Sequence, residues 1–391
     1  MLIWVIGRTL PEMKTGMMGL FEFEQAQALQ KYGGNDVKVC YLYADNRSVK
    51  VLRCFGRNNC IKDNVDVFGS AMPVGGLPQG LFQPLKTLCM KKAVAECEKE
   101  FGKPDIIHIH FPLLTMTESI WNSLKNYNVP IFVTEHWSKV QTKEIEPFRI
   151  KLLKKIVSEA EDYICVGHFL KDSIKELTNV DREISVIPNM VSPEFRPLDI
   201  EDKDKNYFDF LTAGRLVPLK RFDIVIEAFA KMFNNNPNVH LTVAGGGEME
   251  QALRKQIEQL GMKNQIKMTG RLSHDEIAKL MQKTDCFVSA SVLETFGVPF
   301  IEAWSCGKPV ICVKPNAIEL YVTEKNGLLV SADNSDEMGE AMLTVFNNRN
   351  QYSSHDIAEM AENQFSQRAI AGELLKRFRN ACEKNNNKVI N

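Results

Sequence analysis

The most informative stretch of the sequence is Ser289-Ala-Ser-Val-Leu-Glu294-Thr-Phe-Gly297-Val-Pro-Phe-Ile-Glu302-Ala-Trp-Ser-Cys-Gly307-Lys-Pro-Val310. Its pattern predicts a strand, a turn from Glu294 to Gly297, and a helix that begins near Val298. Gly297 lets the backbone approach a ligand closely, and the first turn of a helix offers unpaired N–H groups to phosphate. Glu294 and Glu302 could then bind the hydroxyls of a sugar or a ribose from two depths. A capping acid and a solvated helix glutamate are the alternative.

Short β-branched runs alternate with amphipathic stretches along almost the whole chain. This alternation indicates an α/β fold with parallel sheets, right-handed crossovers and helices on both faces. The predicted strands are 2–6, 37–43, 105–110, 131–134, 163–166, 184–187, 208–213, 240–244, 265–269, 286–290 and 310–313. The clearest helical patterns are 21–31, 85–100, 147–160 and 170–177.

A polar seam separates the two halves of this pattern. Ile187-Pro-Asn189 ends a strand, and residues 199–205 are nearly all charged, as in a solvated linker. We predict a hinge at 188–206 between two Rossmann-like, doubly wound domains that face a central cleft, because such sheets bind ligands at the carboxyl ends of their strands. The predicted domains are 1–190 and 191–365, with a C-terminal helix of about 366–384 packed back on the first domain and a frayed tail at 385–388.

The composition excludes several classes of protein. Hydrophobic residues make up 44% and charged residues 25% of 391, and the net charge of −1 gives no reason to expect a nucleic-acid partner. The ten cysteines form no Cys-x-x-Cys pair, which favours buried thiols in a reducing compartment over disulfides or zinc. No run approaches the ~18 apolar residues of a membrane span or the pattern of a signal peptide. We therefore expect a cytoplasmic protein.

Two cations flank a turn that follows the first strand of the second half, in Leu211-Thr-Ala-Gly214-Arg215-Leu-Val-Pro218-Leu-Lys220. Arg215 offers a planar fork and Lys220 a point charge, and together they could neutralise a diphosphate. A solvated surface pair is the alternative.

Two glycine loops also follow predicted strands. Val243-Ala-Gly245-Gly246-Gly247-Glu248 almost matches a dinucleotide fingerprint, but Glu250 stands where its last glycine would fall, so the dehydrogenase match fails. Lys14-Thr-Gly16-Met-Met-Gly19 is a second candidate phosphate cradle.

In this order and spacing, the motifs resemble glycosyltransferase family 4, the retaining transferases of the GT-B fold. The resemblance is densest from Ile187 to Leu329, and it includes Thr269-Gly270-Arg271-Leu272 and Asn326-Gly327-Leu328-Leu329. It implies transfer of a sugar from a nucleotide diphosphate donor to a hydroxyl of a glycan or lipid-linked acceptor, as in cell-surface polysaccharide synthesis. A UDP-sugar is the favoured donor, with a GDP-sugar as the alternative.

The resemblance also implies roles for matching residues. Arg215 and Lys220 would hold the donor diphosphate. Glu302 would bind the ribose and Glu294 the transferred sugar, while His136 in Val133-Thr-Glu-His-Trp matches the family's active-site histidine. The other implied donor-binding residues are Gly16, Gly245, Gly246, Arg271, Leu272, Thr295, Phe296 and Gly297. The chain has Gly16-Met17 where the family usually has two adjacent glycines.

We expect no metal or other cofactor. The single Asp-x-Asp, Asp202-Lys-Asp204, lies in the charged linker, and fixed cations would assist departure of the nucleoside diphosphate. His108 and His110 share one face of a strand but lack an evident third ligand, and His110 lies nearer the end of the strand. Surface or packing positions are expected for His168, His240, His274 and His355.

Two stretches of the first domain could contact a membrane or a lipid-linked acceptor. One is the loop 75–84 with Leu81 and Phe82, which leads into Lys91 and Lys92. The other is the helix from Pro147, in which basic residues stand opposite an apolar stripe; a solvated face over an ordinary core stripe is the alternative. Its basic residues are Arg149, Lys151, Lys154 and Lys155, and its expected core stripe is Phe148, Leu152 and Ile156.

Three other functions stay open at this point: a nucleotide-sugar epimerase of the same two-domain fold, a glycoside phosphorylase, and a sugar-nucleotide-binding protein without catalytic activity. Donor turnover without an acceptor, turnover that requires phosphate, and binding without turnover would identify them in that order.

Overall fold

A computed structural model describes residues 1–11, 18–45, 56–72, 77–198 and 206–390 of the chain. Contacts between residues divide it into two compact units. The first unit joins Met1–Met190 to Gln367–Asn391, and the second is Val191–Ser366. Each unit has its own sheet and its own hydrophobic core, which is the usual physical definition of a domain.

The described part of the first sheet is parallel in its main body. Its strands are β1 (Leu2–Gly7), β2 (Lys38–Asp45), β3 (Gly56–Arg57), β4 (Cys60–Lys62), β5 (Val65–Ala71), β6 (Ile106–His110), β7 (Ile131–Glu135), β8 (Asp162–Cys165) and β9 (Ser185–Val186). Their order is β3-β5-β2-β1-β6-β7-β8-β9, and β3 and β4 run antiparallel to β5. The order reverses between β1 and β6, so a switch point lies at the carboxyl ends of these two strands.

Helices cover this sheet, and β1 is therefore almost entirely buried, as expected of a central parallel strand. They are α1 (Leu20–Tyr32), α2 (Gln79–Phe101), α3 (Pro112–Thr115), α4 (Glu118–Lys125), α5 (Ser138–Gln141), α6 (Pro147–Glu159) and α7 (His168–Thr178).

The second sheet is parallel throughout its described strands. These are β10 (Phe208–Ala213), β11 (Val239–Ala244), β12 (Ile266–Gly270), β13 (Cys286–Ser289), β14 (Val310–Lys314) and β15 (Gly327–Ser331), in the order β12-β11-β10-β13-β14-β15. Its helices are α8 (Phe222–Phe233), α9 (Glu250–Gln259), α10 (His274–Lys283), α11 (Val298–Ser305), α12 (Ser335–Asn347) and α13 (Ser354–Phe365). The switch point lies between β10 and β13.

The last helix, α14 (Gln367–Ile390), belongs to the first unit. The Phe378 ring packs edge-on against the rings of His108 and Phe132, with centroids 5.4 and 4.6 Å away. Arg377 Nη1 donates to Asp162 Oδ2 at 2.7 Å. A buried aromatic contact and an ion pair thus fasten this helix to the sheet.

The expectation of a frayed tail at 385–388 is wrong, because α14 continues to Ile390. The Asn385 side chain donates to the Asn128 carbonyl oxygen at 3.1 Å. At least one polar residue of this segment, Asn385, therefore contacts the body of the first unit.

The longest helices, α2 and α14, have 23 and 24 residues, which is the length of a membrane span. Charged residues such as Lys91, Lys92 and Arg377 interrupt them. Within the described ranges, no helix is both long enough and apolar enough to cross a bilayer.

The predicted strands are confirmed, with ends that differ by one or two residues. The sequence pattern did not reveal β5, whose run is interrupted by Asp66 and Gly69. A Cβ at Gly69 would lie 2.2 Å from the Tyr43 ring, so the neighbouring strand requires glycine there. The sequence pattern also did not reveal β15, which begins with Gly327. A Cβ at this position would lie 2.4 Å from the Val310 carbonyl oxygen, so the neighbouring strand requires glycine there.

Candidate active site

The loops that follow β10 and β13 meet at the switch point of the second unit. The backbone N–H of Val292 donates to the Leu219 carbonyl oxygen at 3.1 Å. This bond brings the 3₁₀ turn Pro218–Lys220 next to the loop that carries Glu294. Two loops that are distant in sequence, Pro218–Lys220 and residues 292–294, therefore form one corner at the carboxyl ends of these strands.

Lys220 and Glu294 contact each other in this corner. Lys220 Nζ donates to Glu294 Oε1 at 2.5 Å, and the two side chains are 23% and 13% exposed. An ammonium group has three N–H donors, so the contact leaves others for phosphate oxygens. Arg215, on the same loop as Lys220, is exposed and has no ion-pair partner among the described residues.

The glycines after β11 serve two different purposes. Gly245 has φ 145°, and a Cβ there would lie 1.8 Å from the Gly214 carbonyl oxygen; at Gly247 it would lie 2.4 Å from that of Leu216. Backbone approach between neighbouring loops thus requires both glycines. A Cβ at Gly246 would meet only Arg271, at an ordinary 3.7 Å. Packing within the unit therefore does not require glycine at 246.

The turn before α11 has the predicted form. Gly297 has φ 97° and caps the helix, and Thr295 is partly buried beside it. Phe296 is buried, with ring contacts to Tyr321 and Phe365 at 6.2 and 6.0 Å. Its side chain is therefore a core residue, and only its backbone is left to meet a ligand.

Glu302 lies on the first turns of α11 and is 5% exposed. Its Oε1 is 3.5 Å from Nε2 of His274, whose ring packs edge-on against Phe195 at 5.0 Å. Arg271 is exposed and Leu272 is half-buried just before this histidine. The expectation that His274 is only a surface or packing residue is incomplete, since it also contacts Glu302.

In the first unit, His136 directly follows β7 and is buried. Its Nε2 is 3.0 Å from Nδ1 of His110, at the end of β6. The Phe111 ring stacks on the His136 imidazole with centroids 4.7 Å apart. The backbone N–H groups of His136 and Trp137 both donate to the Glu135 carboxylate at 2.9 Å. The histidine is thus held by both its ring and its backbone.

Burial sets the protonation states of this cluster. It lowers the pKa of His136 to about 3, an effect that the nearby Arg8 reinforces and the Asn189 side chain opposes. Burial also lowers the pKa of His110 well below its ordinary value. The pKa of the Glu135 carboxyl is raised by burial to about 7. His136 is therefore a neutral imidazole near neutral pH.

Arg8 is a member of the cluster that sequence reasoning missed. It follows β1 at the switch point, where its Nε donates to the buried Glu22 carboxylate at 2.5 Å. Its guanidinium carbon lies 3.4 Å from the centroid of the Phe111 ring. The signal was available, since Arg8 and Glu135 are charged residues at the carboxyl ends of buried strands, where ligands of such sheets bind.

The predicted Gly16 and the Asp202-Lys-Asp204 motif lie outside the described residues. Within the described ranges, three potential metal ligands approach one another only on the exposed face of α13, at His355, Asp356 and Glu359. The rings of His108 and His110 lie close together, with centroids 4.4 Å apart, but among the described residues no third potential ligand completes a metal site with them. His108 bonds Thr134 Oγ1 through Nε2 at 2.8 Å.

The fold defines the class of protein: two Rossmann-like α/β domains of the GT-B type. Residues 23–195 match the model "Glycosyltransferase Family 4", and residues 197–364 match "Glycosyl transferases group 1". The chain belongs to glycosyltransferase family 4.

Similar proteins agree with this assignment. The gpi3 subunit of phosphatidylinositol N-acetylglucosaminyltransferase from Schizosaccharomyces pombe is 26% identical over 61% of this chain and 53% of its own length. The chain spans about half the length of the curated relatives it matches. Sucrose-phosphate synthase from Thermosynechococcus elongatus shares the fold with a TM-score of 0.76, 17% identity, and coverage of 97% of this chain and 98% of that one. Anabaena HepE, solved with UDP and glucose, has a TM-score of 0.68, 18% identity, and coverage of 97% and 99%.

Proposed function

We propose that this chain is a retaining glycosyltransferase that moves a sugar from a nucleotide diphosphate donor to a hydroxyl of a glycan or lipid-linked acceptor. The contact between Lys220 and Glu294, beside Arg215, carries the proposal. In this proposal, Lys220 would bind the diphosphate and Glu294 the sugar, and the two side chains are one hydrogen bond apart. A nucleotide sugar has this arrangement, because its sugar is bonded directly to the outer phosphate.

The same groups suit the chemistry of transfer. As the bond from the anomeric carbon to the phosphate oxygen breaks, the nucleoside diphosphate keeps the electron pair and gains charge. Arg215 and Lys220 would stabilise that charge, and the Glu294 carboxylate would bind the sugar as it becomes cationic. The acceptor hydroxyl would attack from the face that the leaving group departs from and pass its proton to the departing phosphate oxygen, so the anomeric configuration is retained.

Because two fixed cations perform this role, we propose that the reaction needs no metal ion. Activity should be unchanged in excess EDTA. Loss of activity in EDTA, with recovery on addition of magnesium or manganese, would contradict the proposal.

A UDP-sugar is the favoured donor, and HepE, with the same fold, was solved with UDP and glucose. A lipid-linked or glycan acceptor used in cell-surface polysaccharide synthesis fits the relative named for transfer to phosphatidylinositol. The first experiment is a thermal-shift comparison of UDP, GDP and ADP, since a ligand of the native state raises Tm. UDP should give the largest shift.

Turnover of the selected donor then separates the functions. Product in the donor's anomeric configuration, formed only with an acceptor, supports the transferase. Epimer formation from donor alone indicates an epimerase, phosphate-dependent formation of sugar 1-phosphate indicates a phosphorylase, and binding without turnover indicates a sensor.

We also propose peripheral contact of the first unit with the inner face of the cell membrane. The observation that favours it corrects the expected core stripe of α6. The helix buries Leu153, Ile156 and Val157, and it leaves Phe148 46% exposed. The expected loop 75–84 is wrong from Gln79 onward, where α2 begins. On the first turns of this helix Leu81 is 59% exposed and Phe82 is half-buried, before Lys91 and Lys92.

Long basic side chains of both helices reach the short helix α3. Lys86 Nζ of α2 donates to the Leu114 carbonyl oxygen, and Arg149 Nη1 of α6 donates to that of Leu113. Both helices thus contact α3 through a basic side chain. Apolar side chains flanked by lysines are typical of surfaces that bind anionic bilayers.

Flotation with anionic liposomes tests this contact at low and physiological salt. Leu81→Ser with Phe148→Ser should abolish co-flotation, while Leu260→Ser, at a residue of the second unit that is 40% exposed, should not. Absence of co-flotation of the unaltered protein at low salt would refute the proposal, because salt screens surface attraction.

A further inference from the structure

His110 and His136 share one N···N hydrogen bond of 3.0 Å between two buried neutral rings. The rings are nearly parallel, at 24°, with centroids 5.3 Å apart. A neutral imidazole has one N–H and one lone pair. When one ring donates, the other must therefore accept, so the tautomer of His110 determines that of His136.

The rest of the surroundings fixes other parts of His136. The backbone N–H of His136 donates to the Glu135 carboxylate, and the Phe111 ring covers one face of the His136 imidazole. Rotation about the Cα–Cβ and Cβ–Cγ bonds and the choice of tautomer depend on a partner for a ring nitrogen. Among the described residues, Nε2 of His136 is bonded to His110, and the Asn189 side chain is a second polar neighbour of the imidazole.

The geometry points to His110 as a positioning residue for transfer: by bonding Nε2 of His136, it fixes the rotation of the imidazole, ties its tautomer to that of His110 and leaves Nδ1 as the nitrogen that meets the substrate. Nδ1 of His136 is buried and makes no hydrogen bond to the described residues. An unbonded buried polar atom is costly, which is expected at a position that a ligand completes. The inference rests on the proposed function only in assigning His136 to the substrate.

Substitutions of matched shape separate positioning from packing. An Asn side chain places an amide near the position of His Nδ1, and Leu has a similar shape without a polar atom. His110→Leu should lower kcat by about 10²-fold through misplacement of a reacting-site group, with donor Kd unchanged. His110→Asn should recover most of that loss.

Two controls exclude a general effect on the fold. In a His136→Ala background, His110→Leu should have no further effect on kcat, because the group that it positions is absent. His108→Leu removes an equally buried histidine that bonds Thr134 instead, and it should cost much less kcat. An equal loss of kcat with or without His136, or from His108→Leu, would overturn the inference.

A spectroscopic test needs no enzymatic activity, and its central measurement is made on the unaltered protein. In protein labelled with ¹⁵N in its seven histidines, the His136 ring should show one neutral tautomer and a scalar coupling to the ring of His110 across the N–H···N bond. His110→Asn should keep one tautomer, and His110→Leu, if folded, should give averaged resonances. Averaged His136 resonances without a coupling in the unaltered protein would overturn the inference. If the tautomer is fixed but no donor is turned over, the proposed function fails and the positioning contact stands.

Discussion

The candidate site in each unit has a different electrostatic character. The corner of the second unit keeps its charges partly exposed: Arg215 is at the surface, and Lys220 and Glu294 retain some contact with solvent. The His136 cluster of the first unit is buried, and burial there favours the neutral forms of His136 and Glu135 beside the ion pair of Arg8 and Glu22. A polyanionic ligand requires cations that remain charged, whereas a neutral hydroxyl can be held by a neutral ring. The degree of burial in each unit thus matches the charge of the ligand proposed for it.

The largest expected effect concerns the glycine loop of the second unit. Gly245→Ala should destabilise that unit by about 3 kcal/mol or more, because it forces a Cβ against a carbonyl oxygen at a positive φ. Gly246→Ala is the matched control: it should keep the stability and weaken UDP binding if a ligand approaches that backbone. Thermal unfolding and calorimetry measure both. Equal stability of the two variants would contradict the packing argument.

The next effect tests the buried carboxyl of the first unit. The folded-state pKa of Glu135, about 7, lies above its ordinary 4.5, so folding takes up a proton between these pH values. Its contribution to stability is present below pH 4.5 and is lost as pH rises through 7. Glu135→Gln removes this dependence. From pH 4.5 to 7, the free energy of unfolding should fall in the unaltered protein relative to the variant by up to about 3 kcal/mol, at about 1.4 kcal/mol per pKa unit.

Tryptophan fluorescence in urea measures that difference, because three of the four tryptophans lie in the first unit. His136 has a lowered pKa and contributes the opposite dependence in both proteins, so the difference between them isolates Glu135. If the free energies of unfolding of the two proteins changed in parallel with pH, the folded protein would not raise the pKa of Glu135.

Removal of the negative charge of Glu294 in the second unit should slow the chemical step. Glu294→Gln should lower kcat by about 10²-fold and hardly change the Kd of the nucleoside diphosphate, since its contact strengthens as the sugar becomes cationic. Steady-state kinetics and calorimetry are needed together. A weaker Kd with unchanged kcat would assign Glu294 to the nucleotide instead.

The smallest of these effects is expected at Glu302. Glu302→Ala should raise the donor KM and the nucleotide Kd by about 10-fold with kcat nearly intact, because the ribose does not change during transfer. His274→Ala is the companion variant, since His274 contacts the same carboxylate. If Glu302→Ala lowered kcat and left Kd unchanged, the roles of the two glutamates would be reversed.

The alternation of strands and helices was sufficient to predict the fold class, because parallel sheets covered on both faces leave long apolar strands and amphipathic helices in the sequence. Arg215, Lys220 and Glu294 could be singled out because they stand in loops at strand ends. The strands β5 and β15 could not be found, since their glycines are required by neighbours distant in sequence, Tyr43 and Val310. The spacing of apolar residues within one segment carries no information about such distant neighbours.

The sequence by itself determined which residue types stand at the carboxyl ends of the strands, and thereby the chemistry available there. Only the tertiary structure decided their pairing: Lys220 with Glu294, His274 with Glu302, and His110 with His136. It also decided that Gly245 serves packing while Gly246 does not. The physical reason is that distances across a sheet and desolvation depend on which strands are neighbours. Neighbouring strands such as β10 and β13 are 76 residues apart at the paired positions Phe210 and Cys286.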